Sequence, residues 1–155
     1  MAHKDLRDFI HKLEKYDELK RISAEVDPIL EITEISDRTV KAKGPALLFE
    51  HPKNSKVPVV TNLVGTERRM CMALEVNSLE EVANRISSFL DLQSPQGLLE
   101  KVKMLPKLAE IGSFFPKSVR NGACQEVVLT ENFSLDAFPI LKCWPQDGGR
   151  YITWP

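Results

Sequence analysis

The sequence has little net charge of either sign. Its 21 lysine and arginine residues nearly balance its 22 aspartate and glutamate residues, which leaves a formal net charge of −1. Proteins that attract nucleic acid or an anionic membrane surface carry a basic patch or stripe. The balance therefore argues against nucleic-acid binding.

Long apolar runs are also absent from the sequence. None approaches the ~20 residues that a bilayer-spanning helix needs. The N-terminal stretch MAHKDLRDFI carries charges where a signal peptide would have its apolar core. The resulting expectations are a cytoplasmic location and no transmembrane segment.

Cysteine is scarce. The three cysteines, Cys71, Cys124 and Cys143, are odd in number and far apart, which is typical of reduced thiols and not of a disulfide framework. A reactive thiol needs a base or a helix N-terminus that lowers its pKa. Since neither is evident beside Cys124 or Cys143, we expect both to be buried as small apolar residues.

The common cofactor and metal patterns are missing as well. There is no glycine-rich dinucleotide turn, no Walker phosphate loop and no CxxC pair, and nothing positions a Ser–His–Asp triad. Zinc needs three or four convergent ligands, whereas His3 and His11 lie eight positions apart near one helix and His51 lies in a loop. We expect solvated surface histidines and no metal site among them.

What the sequence does contain is alternating helical and strand periodicity. The predicted helices cover residues 5–16, 29–43, 66–75, 78–93 and, with an interruption at Pro106, 96–111. The predicted strands are RISAEV, which Asp27 and Pro28 end, ALLFE, VPVVTNL and QEVVLT, with a loop over residues 51–56.

Local signals mark several helix ends. Ser78 and Glu81 form a capping-box pattern, and Gly44 followed by Pro45 predicts a left-handed cap on the glycine. Glu31 and Glu34 are expected to be surface acids on a helix that packs through its isoleucines.

Periodicity and proline content divide the chain. We expect an α/β (α+β) domain over residues 1–112, a linker over 113–123, and the extended start of a β-rich domain over 124–155. At 155 residues the chain is long enough for one domain and short for two.

Two stretches could carry chemistry. In NLVGTERRM, Gly65 forms a turn, Thr66 could cap a helix, and Arg68 and Arg69 lie in the first turn, where free N–H groups attract anions. The alternative is an ordinary cap with solvent-facing arginines. The stretch CWPQDGGRYIT has the composition of a functional loop, and equally that of a β-turn between strands.

Several blocks together resemble a known family. They are DLRDFIHKLEKYDELKRISAEVDPILEITEISDRTVKAKGPALLFEHPK, PVVTNLVGTERRMCMAL, CQEVVL, FPILKCWPQDGG and YITW. In this order they resemble the UbiD family of prenylated-flavin-dependent decarboxylases, over nearly the whole chain. The resemblance implies an N-terminal α/β domain followed by the first strands of a split β-barrel that binds flavin. Because family members are much longer, it also implies a truncated N-terminal portion that is inactive alone.

The resemblance implies a reaction and its cofactors. Members remove or add a carboxylate on aromatic or α,β-unsaturated acids without net oxidation; a 4-hydroxybenzoate of quinone biosynthesis is one such substrate. They use prenylated FMN, which a flavin prenyltransferase supplies, with Mn²⁺ and often K⁺ at its phosphate. A homo-oligomer and a small aromatic acid substrate are the implied partners.

Few site residues carry over from the family. Its metal ligands and its Glu–Arg–Glu proton network lie downstream of Pro155, so no catalytic or metal-binding residue is assigned here. Thr153 alone is implied to lie near the flavin and substrate. Pro155 stands where many relatives have glycine. The block GTERRM has no cofactor role in the family, which favours the cap interpretation.

A second hypothesis belongs to another functional class. The chain could be a complete small interaction or regulatory module, without catalysis, that pairs with a larger decarboxylase subunit. In either case we expect marginal folding, because residues 124–155 would expose unpaired strand edges.

Overall fold

A computed structural model describes residues 3–90, 105–106, 108–109, 111–116, 118–131 and 133–152. The chain divides into two compact units. The first contains residues 1–82 and 134–155, and the second contains residues 83–133.

The first unit is built on a three-stranded sheet. Its elements are α1 (Leu6–Lys15), β1 (Leu19–Val26), α2 (Glu31–Lys41), β2 (Ala46–Pro52), β3 (Val59–Thr61) and α3 (Glu67–Leu74). The strand order is β1-β2-β3, with β1 parallel to β2 and β2 antiparallel to β3. The predicted α/β class is therefore confirmed.

Two apolar clusters lie on the two faces of this sheet. Phe49 of β2 packs with Val26 and Ile32, and the half-buried Ile35 joins them. This confirms that α2 packs through its isoleucines. On the other face, Ala46 packs with Phe9 and Leu13 of α1, because successive strand side chains point to opposite faces. Each fully buried large side chain contributes about 1.5–3 kcal/mol.

The strand boundaries differ from the prediction. β1 begins at Leu19, and its register with β2 shifts between Ile22 and Glu25. The bulge interrupts the expected alternation, and Ala24 is exposed. β2 continues through His51, which pairs with Glu25, so the loop is shorter than predicted.

The end of α2 places the left-handed residue one position earlier than expected. The N–H of Gly44 donates to Thr39 O at 2.8 Å and that of Lys43 to Val40 O at 2.9 Å, which is the Schellman pattern. Lys43 has the positive φ, 54°. Gly44 is needed for a different reason: a Cβ there would lie 2.8 Å from Thr39 Cγ2.

α4 (Leu79–Leu90) has the predicted helical form but a modified cap. Ser78 Oγ accepts from Glu81 N at 3.4 Å, while the Glu81 carboxylate accepts from Asn77 N at 3.0 Å and not from Ser78. None of its residues is buried. The predicted continuation over residues 91–93 lies outside the described residues.

The second unit contains helical turns and irregular chain. Residues 105–106, 108–109 and 111–113 are helical, and the rest of the predicted helix over 96–111 lies outside the described residues. Within this unit, the Phe114 ring packs edge-on against Phe89 at 5.7 Å between centroids, and Arg85 lies 5.9 Å from the Phe114 ring centroid.

The strand predicted over residues 125–130 is not formed. Ala123–Gln125 is a short 3-10 helix, and Val127, Val128 and Leu129 are exposed. A strand needs a neighbour for its backbone N–H and C=O groups, and no described residue pairs with this stretch.

No helix in the described part of the chain combines the length and the apolar character that crossing a bilayer requires.

Candidate functional site

The predicted anion-binding turn is a capped helix start whose arginines are already paired. Thr66 Oγ1 accepts from Arg69 N at 3.3 Å and caps α3. Arg68 and Arg69 both bind Glu18, at 3.1 Å and 2.9 Å from its two carboxylate oxygens. The cap interpretation is therefore right. It also expected both arginines to face solvent, and this is true only of Arg68.

Arg69 is buried, with a side chain that is 1% exposed. Its Nε and Nη2 atoms and the Oδ1 atom of Asn62 have no hydrogen-bond partner among the described residues. Asn62 Nδ2 instead donates to the carbonyls of Gly44 and Pro45. The guanidinium thus serves to join α3 to the start of β1 and is not accessible to an external anion.

Glu18 is the residue that sequence reasoning missed. It lies between α1 and β1, and its backbone C=O also accepts from Ala46 N at 2.9 Å. An isolated acid before a strand carries no recognisable pattern, and its partner Arg69 lies 51 residues away in the chain.

A second candidate region lies at the carboxyl ends of the parallel strands β1 and β2, the edge where open α/β sheets commonly bind ligands. Lys53 Nζ donates to Asp27 Oδ2 at 3.1 Å, and Ile29 N donates to Asp27 Oδ1 at 2.8 Å. The N–H of Ile29 and the ammonium of Lys53 hold the pKa of Asp27 below its ordinary value.

The segment of residues 134–152, which we call the docked segment, lies at this edge. Lys142 pairs in parallel with Ile29, accepting from Leu30 N at 3.0 Å and donating to Pro28 O at 3.2 Å. Leu30 has a φ of 70°, a conformation that a large side chain seldom adopts. Leu141 packs against the apolar cluster around Phe49, so the docked segment is part of the first unit's core.

The described part of the stretch CWPQDGGRYIT, residues 143–152, contains a turn that brings Tyr151 back beside Leu141. Asp147 N donates to Trp144 O at 3.1 Å, and Trp144 N donates to the Asp147 carboxylate at 2.9 Å. Beyond the turn, Tyr151 N donates to Leu141 O at 3.3 Å, and Arg150 pairs with Asp136. The turn of the β-turn interpretation is present, but no described residue on either side of it belongs to a strand.

Thr153, the predicted flavin neighbour, lies outside the described residues. The two residues before it, Tyr151 and Ile152, are 55% and 80% exposed. A cleft of about 60 Å³ lies at the carboxyl edge of β1 and β2, and its charged lining residues are Asp27, Lys53, Asp136 and Arg150. This volume holds water-sized molecules and is far below the ~300 Å³ at which ligand pockets begin.

The histidines do not converge. His3 is not a solvated surface residue as expected: its Nε2 lies 3.1 Å from Met72 O and its ring packs on Phe9. His11 and His51 are exposed. Among the residues that the structure describes, no three His, Cys, Asp or Glu side chains are grouped to hold a metal.

The thiols differ from the prediction in burial. Cys71 and Cys143 are free, as expected, but Cys143 is exposed and Cys71 is the buried one. Cys143 follows Lys142, the residue paired with Ile29. The side chain of Cys124 lies outside the described part of the chain.

Comparison with known families settles the chain's membership. Residues 10–86 match the N-terminal domain of 3-octaprenyl-4-hydroxybenzoate carboxy-lyase, and residues 117–155 match its Rift-related domain. The chain belongs to the UbiD family. The two matches confirm the family resemblance seen in the sequence blocks. UbiD members are carboxy-lyases.

Two curated relatives are described only as uncharacterized proteins. One from Archaeoglobus fulgidus is 52% identical over 155 residues, which is 100% of this chain and 31% of the relative. One from Aquifex aeolicus is 47% identical over 98% of this chain and 32% of the relative. The chain thus spans about a third of the length of these relatives.

Two solved structures align with this chain. The closed form of vanillic acid decarboxylase from Sedimentibacter hydroxybenzoicus aligns over 98% of this chain and 30% of its own, with 25% identity and a TM-score of 0.69. The UbiD-class enzyme HmfF from Pelotomaculum thermopropionicum, in an evolved dimeric form with prFMN, aligns over 58% of this chain and 20% of its own, with 32% identity and a TM-score of 0.49.

Proposed function

We propose that this chain is the N-terminal portion of a UbiD-type decarboxylase that acts non-oxidatively on an aromatic or α,β-unsaturated carboxylic acid. The observation that carries the proposal is the match of two UbiD domains, in order, to residues 10–86 and 117–155. The similarity to vanillic acid decarboxylase over 98% of the chain supports it. A 4-hydroxybenzoate of quinone biosynthesis is the first substrate to test.

The domain division belongs to the same proposal. Residues 1–112 would form the N-terminal domain, 113–123 a linker, and 124–155 the beginning of the flavin-binding domain. The parent enzyme would be a cytoplasmic homo-oligomer, and a flavin prenyltransferase would supply its cofactor.

The described residues at the carboxyl edge of β1 and β2 do not by themselves fit prenylated FMN or the Mn²⁺ and K⁺ ions proposed for its phosphate. The described part of the chain contains no group of three metal-binding side chains, and the cleft lined by Asp27, Lys53, Asp136 and Arg150 measures only about 60 Å³. No catalytic step is therefore assigned to them. Residues downstream of Pro155 in the parent enzyme would bind both groups.

The role proposed for this chain is then to position Thr153 near the flavin or the substrate. On the docked segment, Tyr151 N donates to Leu141 O, and Thr153 follows two positions later in the sequence. We propose that the Thr153 hydroxyl makes one hydrogen bond to the flavin or the substrate. The chain alone would be inactive.

The decisive experiment compares two proteins. The 155-residue chain and the product of the continuing coding frame are each produced with a flavin prenyltransferase and assayed for CO₂ release from a panel of aromatic acids. We expect release from the longer product alone. Thr153→Val should lower activity, while Thr153→Ser, which keeps the hydroxyl, should retain most of it.

Other outcomes would contradict the proposal. A stop codon after Pro155, with a separate decarboxylase subunit that co-purifies with this chain, would favour the interaction-module hypothesis. A longer product that binds prenylated FMN but releases no CO₂ from any acid tested would argue against decarboxylation.

A further inference from the structure

The turn between β3 and α3 contains buried polar atoms that lack a protein partner. They are Nε and Nη2 of Arg69 and Oδ1 of Asn62, and none of them forms a hydrogen bond with a residue that the structure describes. A buried polar atom without a partner keeps its full desolvation cost. Most such atoms in folded proteins are paired with protein or with ordered water, so three of them in one turn require an explanation.

The unpaired donors of Arg69 lie on one edge of its planar guanidinium. Nη1 donates to Glu18 Oε2 at 2.9 Å, whereas the N–H groups of Nε and Nη2 point in parallel from the side of the group. Parallel donors of this kind converge on an oxygen acceptor. Because the Arg69 side chain is only 1% exposed, that oxygen has to lie inside the protein.

Asn62 supplies an unpaired acceptor beside this edge. A Cβ atom on Gly65 would lie 1.7 Å from Asn62 Oδ1 and 3.3 Å from Arg69 Nη2, so Oδ1 and Nη2 are separated by no more than the sum of these distances. That sum matches the ~4.5–5 Å that one bridging water spans. The amide orientation is set by Nδ2, which donates to the carbonyls of Gly44 and Pro45 at 3.1 Å and 2.9 Å.

Gly65 leaves the space that these polar atoms use. Its φ is not positive, so its backbone conformation does not itself demand glycine. Its N–H donates to Asn62 O at 3.5 Å, which closes a four-residue turn. A side chain at this position would start where Asn62 Oδ1 lies, so glycine is needed here for space.

We propose that Arg69 and Asn62 bind one internal water molecule beneath this turn. The water oxygen accepts from Nε and Nη2 of Arg69, and one O–H group of the water donates to Asn62 Oδ1. These are the three hydrogen bonds that a buried water typically makes. The water completes a polar connection from Glu18, just before β1, to Asn62, just after β3. The inference does not depend on the proposed function.

Two other arrangements would also satisfy the guanidinium edge. An inorganic anion is one, but a chloride ion offers no donor to Asn62 Oδ1, and Glu18 already places a negative charge 2.9 Å from Arg69. A direct hydrogen bond from Arg69 Nη2 to Asn62 Oδ1 is the other, and it would need no water. The three arrangements differ in what lies between the two side chains.

The first test is a high-resolution crystal structure of the 155-residue chain, with bromide as the only halide in the crystals. We expect one water oxygen within about 3.2 Å of Arg69 Nε, Arg69 Nη2 and Asn62 Oδ1, and no anomalous bromide signal at that position. An anomalous peak, a direct bond between Nη2 and Oδ1, or a site without density would each overturn the inference.

The second test follows the Nε–H proton of Arg69 by NMR in solution. We expect a cross-relaxation peak between this proton and water, together with slow exchange of the proton. In Gly65→Ala the new methyl group displaces Asn62 Oδ1, so exchange should become about tenfold faster or more. The matched control Gly149→Ala adds a methyl group where no atom lies within 4 Å and should leave exchange unchanged. Equal exchange rates in the two variants would refute the proposed site.

A pair of lysine variants separates the guanidinium edge from the charge. Arg69→Lys keeps a positive charge beside Glu18 but lacks the parallel donors, so the thermal midpoint should fall by about 4 °C or more. Arg68→Lys changes the other, exposed partner of Glu18 and should move the midpoint by no more than about 2 °C. Equal shifts would contradict a role for the edge. If Arg69→Lys does not fold, the wild-type crystal structure decides the inference.

Discussion

Glu18 accepts a hydrogen bond from Nη1 of Arg69 at 2.9 Å, although the arginine side chain is only 1% exposed. The two residues are 51 positions apart, so this contact ties α3 to the junction of α1 and β1. Because a buried charge without its partner keeps its full desolvation cost, the fold should depend on this pair more than on any exposed ion pair.

Glu18→Gln tests that dependence. We expect the free energy of unfolding to fall by about 3–5 kcal/mol, since a neutral amide leaves the Arg69 charge uncompensated inside the protein. Urea unfolding followed by circular dichroism at neutral pH measures the loss. The control is Glu34→Gln, which removes an exposed pair with Arg38 and should cost about 0.5 kcal/mol or less. Equal small losses in both variants would contradict the expectation.

At the end of α2, substitutions of the adjacent residues Lys43 and Gly44 should have opposite effects on stability. Lys43→Gly should stabilise the protein by about 1 kcal/mol, because glycine adopts the positive φ of Lys43 without the steric cost of a side chain. Gly44→Ala should destabilise it by about 1–3 kcal/mol, because the new methyl group would crowd Thr39. Thermal unfolding of the two variants checks both signs. A destabilising Lys43→Gly would show that the positive φ does not persist in solution.

Local signals explain why the helices and two of the strands could be predicted. Asp5 caps α1 by accepting from Asp8 N at 2.9 Å, and Thr66 caps α3. Each cap depends on only a few adjacent residues. The prediction of β2 depends on equally short-range sequence, because its continuous apolar run matches a strand buried on both faces.

Contacts between distant residues explain most of the failures. The β1 bulge depends on how β1 aligns with β2, and the burial of Arg69 depends on Glu18, so no short window of sequence contains either. The predicted strand over residues 125–130 has suitable residues but no partner among those described. Strand propensity measures the fit to a neighbouring surface more than a backbone preference.

The ion pairs of Arg21, on β1, with Glu14 of α1 and Glu50 of β2 make stability depend on pH. Arg21 donates to Glu14 and, at 2.8 Å, to Glu50, and these hydrogen bonds from Arg21 hold the pKa of both carboxyls below their ordinary value of 4.5. Since the folded pKa values lie below the unfolded ones, the stabilisation is complete above about pH 4.5 and is lost as the pH falls through the folded values.

Arg21→Gln should therefore reduce the acid-dependent loss of stability. Urea midpoints measured from neutral pH to about pH 3 should fall less steeply in this variant than in the wild type. Arg38→Gln removes the same charge from α2 and should leave the wild-type slope nearly intact. Parallel curves for Arg21→Gln and the wild type would show that the Arg21 contacts do not form in solution.

Limited proteolysis tests the docked segment against the expectation that the chain folds marginally because residues 124–155 expose unpaired strand edges. Arg120 lies in exposed irregular chain, whereas Lys142 is hydrogen-bonded on both sides to Pro28 and Leu30. Trypsin cleaves chain that opens locally, so the cut after Arg120 should precede the cut after Lys142 by at least about tenfold in rate. Arg120→Gln should remove the early cut without accelerating the later one. If the two sites were cut equally fast, the docked segment would not be held at the β1–β2 edge.

Leu141→Ala should accelerate cleavage after Lys142 alone, because it removes the side chain that joins this segment to the core around Phe49.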